Sequence, residues 1–119
     1  IDPINDLERV EDLDGSWRRY VNEQLKLLYQ PVFSQFDLWT MLKAPSYDFV
    51  YAWRLEQEQK LGATQSSNSN SLMGDEQLKR FIQHFERLTH NCLKNLPGKV
   101  NYLYELDKDR AVTRTAASN

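Results

Sequence analysis

The chain has 119 residues, of which 40% are hydrophobic and 12% aromatic, with a formal net charge of −2 and a single cysteine. That length gives one domain or less, with bulky side chains enough for a core. The balanced charge argues against a general attraction to nucleic acid or anionic membrane, lone Cys92 excludes an intrachain disulfide framework, and no apolar run nears the roughly 18 residues needed to span a bilayer.

Residues 1–14 are polar and acidic and read as a loop, with Asp14, Gly15 or Ser16 capping the next helix. From Trp17 the apolar positions 17, 20, 21, 25 and 28 form one stripe of an amphipathic helix, which Pro31 ends or bends. Leu38–Leu42 is a short apolar run bounded by Asp37 and Lys43-Ala44-Pro45, as expected of a parallel strand buried on both faces. Ser46 caps a further helix, Asp48 suits its positive end, and the helix runs to about Leu61, where Gly62 is a stop. Residues 62–73 are rich in Ser and Asn and read as a flexible loop. The strongest helical pattern comes next, with Leu78, Phe81, Ile82, Phe85, Leu88, Cys92, Leu93 and Leu96 on one face and Pro97-Gly98 at its end. Val100–Leu106 is the second strand, and 111–119 is a polar tail that frays at its end. Two strands separated by two helices predict a parallel crossover. Two strands are too few for an independent sheet, so a bare strand edge, and self-association through it or through the exposed helix faces, are expected of the isolated chain.

Few residues carry chemistry. None of Gly15, Gly62, Gly74 and Gly98 opens the Gly-x-x-x-x-Gly-Lys-Ser/Thr pattern that surrounds phosphates with backbone N–H groups; Gly98-Lys99 is a turn. His84 and His90 lie six apart on different helix faces, so no metal site is expected from them with Cys92. The acidic pairs Glu11/Asp12, Glu56/Glu58, Asp75/Glu76 and Asp107/Asp109 read as solvated faces or helix starts. Trp39 and Trp53 read as core rather than as an aromatic cage. Arg54 has two readings: an arginine that closes onto transferring phosphates, or an intrahelical pair with Glu58. Arg87 reads as a surface pair or an anion contact. Of Arg18 and Arg19, one is expected on a solvated face and the other on an anion.

Several segments, in order, resemble the D-glycerate 3-kinase family of P-loop proteins, which is similar to uridine kinase and pantothenate kinase. They are Pro3–Glu8, Asp14–Leu25 with Tyr29-Gln30, Leu42–Ser46 with Trp53–Glu58, and Arg80–Thr89, and the resemblance covers roughly 3–110. It implies an α/β fold: the C-terminal part of a helix-rich, three-layer P-loop NTPase domain over 1–110, with two parallel strands at about 38–42 and 100–106, 62–73 as the lid loop and 111–119 as a tail. It implies ATP with Mg²⁺ as cosubstrate and metal in the complete protein, their main binding elements lying outside this sequence, and a small-molecule acceptor. It places Arg54 at the catalytic lid position, Asn5, Arg18, Arg19 and Arg87 towards the acceptor, and Asp107, Lys108 and Arg110 near the adenine. No residue is assigned to a metal. Gly74 stands where Ser caps the long helix in the family, and Phe85 where Tyr is common. The expected location is cytoplasmic, since a lone cysteine suits a reducing compartment and no signal peptide is visible. Ile1 in place of Met reads as a processed product, a fragment or a cloning remnant. The competing reading is a non-catalytic helical interaction module.

Overall fold

A computed structural model describes residues 1–64 and 73–118. The chain divides into two compact units, Ile1–Trp39 and Thr40–Asn119.

The first unit is helical. Helix α1, Asp6–Glu11, occupies a stretch expected to be loop. Its start is closed reciprocally: Asn5 Oδ1 accepts the Glu8 N–H at 3.0 Å, and Glu8 Oε2 accepts the Ile4 N–H at 3.0 Å. The Asn-x-x-Glu spacing is the sequence signal for it. Helix α2, Ser16–Gln24, has Gly15 at its N-cap, one of the expected residues, and the side chain that accepts its first N–H groups comes from further upstream. Asp12 Oδ1 accepts the Trp17 N–H at 2.8 Å and Oδ2 the Arg18 N–H at 3.0 Å. Gly15 turns the chain with φ 71°, and a Cβ there would stand 3.0 Å from Arg18 Nη2. Asp14 accepts the Ser16 N–H at 3.0 Å, and that bond holds its carboxyl below the usual range.

Pro31 does not end the helix. A π-helical turn, Leu25–Tyr29, precedes helix α3, Gln30–Phe33, with Pro31 in the first turn of α3. Proline has no N–H and crowds the carbonyl four residues back. The widened turn, in which the Gln30 N–H reaches Leu25 O, accommodates it. No apolar side chain of this unit is buried; its buried residues with polar side chains are Asn5, Asp12 and Arg18.

The second unit is α/β. Strand β1, Thr40–Lys43, leads to helix α4, Asp48–Thr64, helix α5, Asp75–Asn95, and strands β2, Tyr102–Leu106, and β3, Val112–Ala117. β1 and β2 pair in parallel with Met41 opposite Leu103, as the crossover pattern predicts. The tail expected after 110 is instead strand β3, antiparallel to β2, which gives a mixed sheet of order β1-β2-β3. Val112, Thr113 and Thr115 are β-branched, and they pair because the turn before them folds the chain back. β1 is also not buried on both faces: Leu42 is 66% exposed. Among the described residues β1 has a neighbour on one side only.

The core of this unit is Leu78 and Ile82 of α5, Val100, and Leu103 of β2. The face predicted for α5 is met at Leu78 and Ile82, whereas Phe85 is half exposed. Gly62 does not stop α4, which continues to Thr64, where the Thr64 hydroxyl donates to Leu61 O. Most of the loop expected at 62–73 lies outside the described residues. Gly74 begins α5 at φ −68° with open space around its Cα, and its N–H donates to Gln77 Oε1 at 3.1 Å. Serine fits that backbone and adds a hydroxyl acceptor. Gly74→Ser is expected to raise stability by about 0.5 kcal/mol, read as a higher urea midpoint at unchanged slope.

Candidate functional site

Helix α4 carries the residues of the site. Val50, Trp53, Arg54, Glu56, Gln57 and Lys60 stand on successive turns, and their side chains line an open groove of about 510 Å³ that Arg110 completes from the β2–β3 turn.

That turn is built by Asp107. Its Oδ1 accepts the N–H of Asp109 and of Ala111, each at 2.9 Å. Its own N–H donates to Ala111 O at 2.9 Å, and its carbonyl accepts the Arg110 N–H at 3.0 Å. Arg110 closes the turn with φ 67°, a conformation costly for a residue with a Cβ. Side-chain contacts hold it there. Arg110 Nη2 donates to Glu56 Oε2 at 2.8 Å, and its guanidinium lies 5.8 Å over the Trp53 ring. The Trp53 indole N–H in turn donates to Lys108 O at 2.8 Å. The turn is therefore clasped to α4 at two points, one carbonyl and one guanidinium.

Glu56 is the hub of the clasp, since its other oxygen meets Lys60 Nζ at 2.5 Å. Lys60 first, then Arg110, holds the Glu56 carboxyl below the usual range. A carboxylate depressed in the folded state stabilises above its unfolded pKa, and that contribution disappears as pH falls through the folded one. The clasp is thus expected to be intact at neutral pH and to open below about pH 4.5, the ordinary glutamate value. The indole ¹⁵N–¹H resonance of Trp53 reports it. Glu56→Gln should show the open-state shift already at neutral pH, with no further step on acidification.

Arg54 lies on the same helix. Its Nη2 is 2.7 Å from Glu58 Oε1, its Nη1 donates to Gln57 Oε1 at 3.0 Å, and its guanidinium lies 5.9 Å from the centre of the Phe81 ring on α5. The intrahelical pair anticipated from the spacing is present, but it is not the solvated kind: Glu58 is buried, 7% exposed. Five N–H donors belong to a guanidinium. Two of them are engaged by Gln57 and Glu58, and Nε–H with one hydrogen on each terminal nitrogen has no partner among the described residues.

The structure brings Arg54, Arg110 and the Lys108 carbonyl onto α4. The Asp107 carboxylate is occupied inside its turn, and the Lys108 side chain is exposed. The other expected residues stand elsewhere. Arg87 is half-buried on α5. Asn5 is the cap of α1. Arg18 is buried: Nη1 donates to Asp12 O at 2.9 Å and Glu8 O at 3.1 Å, Nε donates to Ile1 O at 3.2 Å, and Asp12 Oδ2 is 3.3 Å from Nη1. Its donors hold the first unit together, whereas Arg19 is exposed. His90 faces Glu86 at 3.5 Å, and its ring lies tilted 5.4 Å from that of Tyr47, whose phenol pKa is pushed up to about 12 by burial and then by Glu86. Among the described residues no group of three His, Cys, Asp or Glu side chains is placed to hold a metal ion.

Sequence alone does not mark Glu56 and Lys60 as functional neighbours, and it places Trp53 in the core. The i, i+3 and i+4 spacing of Trp53, Glu56, Gln57 and Lys60 carries their common face, but the turn that meets it is about 50 residues away along the chain.

No protein-family model matches the chain. It is 35% identical over 93 residues to an uncharacterized kinase of Schizosaccharomyces pombe, mug58, and this covers 78% of the chain and 31% of that protein. Among solved structures it matches D-glycerate 3-kinase from Cryptococcus neoformans at a TM-score of 0.66 and 18% identity, over 98% of the chain and 46% of that structure. The chain therefore shares a kinase fold, and it spans about a third of the curated relative and under half of the solved one. No helix among the described residues is long and apolar enough to cross a membrane.

Proposed function

We propose that this chain is the C-terminal, lid-bearing part of a P-loop kinase that transfers the γ-phosphoryl group of ATP to a hydroxyl of D-glycerate or a similar small acceptor. The observation that carries the reading is the Arg54 guanidinium, held on α4 with donors unpaired among the described residues beside a groove that Lys60 and Arg110 also line, in a chain with a kinase fold. In-line phosphoryl transfer needs little covalent help from protein and much electrostatic clamping of the equatorial oxygens. Arg54 supplies that clamp. The Asp107–Arg110 turn borders the nucleotide, with Trp53 and the Arg110 guanidinium offering flat faces to a base. Asn5, Arg19 and Arg87 serve the acceptor side, with Arg18 acting there through the frame it builds. Mg²⁺ would supply charge neutralisation at the phosphates, no residue of this chain is assigned to hold it, and without a phosphate-binding loop among these residues the chain by itself is expected to turn over no ATP. A cytoplasmic location belongs to the same reading, as does self-association of the isolated chain through the β1 edge; light scattering should show mass rising with concentration, and a constant monomer mass argues against the edge.

The test is ADP release by the full-length gene product, assayed with D-glycerate and with no acceptor. Acceptor-dependent turnover supports the assignment. Turnover only with another hydroxyl compound removes glycerate and keeps the kinase; none at all removes both. A second reading, a helical interaction module, is favoured by the exposed Trp17–Tyr20 stack, rings 5.4 Å apart. An in-frame Gly-x-x-x-x-Gly-Lys-Ser/Thr upstream would decide for the kinase.

A further inference from the structure

Glu58 is one of four buried polar or charged residues among those described, and the only one in the second unit. It sits one turn beyond Arg54 on α4, and such pairs are ordinarily solvated and worth a few tenths of a kcal/mol. Here the Glu58 side chain is 8% exposed and the Arg54 side chain 28%. Desolvating a carboxylate is unfavourable, and a buried ion pair often adds no net stability over apolar residues of the same size. What such a pair does supply is a fixed position. The long Arg54 side chain, unpaired, would sample many rotamers. Gln57 accepts a hydrogen from Nη1, Glu58 pairs with Nη2 at 2.7 Å, and the guanidinium lies 5.9 Å from the centre of the Phe81 ring. Among the described residues three donors stay available in a fixed plane, a fork of the kind that two oxygens of one phosphate match.

We infer that Glu58 is a positioning residue that orients the Arg54 guanidinium for a phosphoryl group. The inference rests on the kinase reading and goes beyond it, since it gives a role to a residue that touches no substrate. Glu58 holds Arg54 ready; it does not hold it back, because the donors that remain are enough for a bidentate contact while the pair is intact.

The test uses the full-length gene product and ATP with its acceptor. Glu58→Gln keeps the shape and removes the charge. It is expected to lower kcat by about 10–30-fold while KM for ATP changes less than about threefold, since the loss falls on an interaction completed in the transition state. Glu58→Asp, which restores the charge, is expected to recover part of the loss. The double variant Glu58→Gln/Arg54→Ala should be no slower than Arg54→Ala alone, a result that a merely structural Glu58 would not give. Thermal unfolding of each variant checks folding, and Glu58→Asp carries the test if Glu58→Gln is unfolded. Glu58→Gln with the wild-type kcat, or losses that multiply in the double variant, overturns the inference while leaving the kinase reading standing. A wild-type protein that consumes no ATP removes the reading and the inference with it.

Discussion

Arg54→Ala in the full-length gene product is expected to lower kcat by about 10³-fold, the low end of what a transition-state arginine contributes to phosphoryl transfer. The effect should fall on kcat and on kcat/KM alike, because charge builds on the transferring oxygens only as the bonds to them change. Arg54→Lys should recover a minor part. Lysine brings a point charge but neither the planar fork nor the two simultaneous bonds to Glu58 and Gln57. The measurement is steady-state ADP release with saturating ATP and acceptor. A kcat within about threefold of wild type in Arg54→Ala would mean that the Glu58 pair is the whole purpose of the residue, since an intrahelical ion pair by itself leaves chemistry untouched.

The second large effect is on stability. Arg18→Ala is expected to destabilise the first unit by about 3–5 kcal/mol, the range for removing one partner of a buried ion pair. The loss has several sources. The buried Asp12 carboxylate loses its cation, and the carbonyls of Asp12, Glu8 and Ile1 lose the guanidinium donor, Asp12 O keeping the Gly15 N–H and Glu8 O the Asp12 N–H. No buried apolar side chain in Ile1–Trp39 offsets this. Arg18→Lys should recover little, because one ammonium cannot reach the three carbonyls that Nε and Nη1 serve. Urea unfolding monitored by tryptophan emission, with Trp17 one residue away, gives the number. An arginine whose main task is to bind the acceptor would behave in the opposite way: KM for the acceptor would rise and the urea midpoint would hold.

The two residues show how unequally a sequence announces its roles. Arg54 and Glu58 sit four apart on one helix, so their pairing is readable from spacing. That the pair is buried is not, because burial depends on α5 and Phe81, 27 residues further on. Arg18 and Arg19 are adjacent and chemically identical in the sequence, and periodicity separates their faces without saying which face is covered. Asp12 decides it: its carboxylate caps α2 and pairs with Arg18, although its acidic neighbours suggest a solvated group. Helix α1 is legible in the Asn5–Glu8 spacing, yet Leu7 and Val10 stand among polar and acidic residues that suggest a loop. Strand β3 is hidden for a different reason. Six exposed residues give no burial pattern, and their pairing with β2 depends on a turn in which a non-glycine residue takes a left-handed backbone.

By itself the sequence determined the long helices α2, α4 and α5, the β1–β2 parallel crossover, the absence of a phosphate loop from these residues and the likeness to a kinase. Each of these depends on local periodicity, on caps and stops a few residues apart, or on an ordered run of matched segments. Tertiary structure alone decided which arginine is a strut and which has donors left over, that residues 112–117 are a strand, and that the 107–110 turn meets Trp53 and Glu56. Those outcomes depend on desolvation and on contacts between residues tens of positions apart, and a charge in a sequence carries no mark of whether water will reach it.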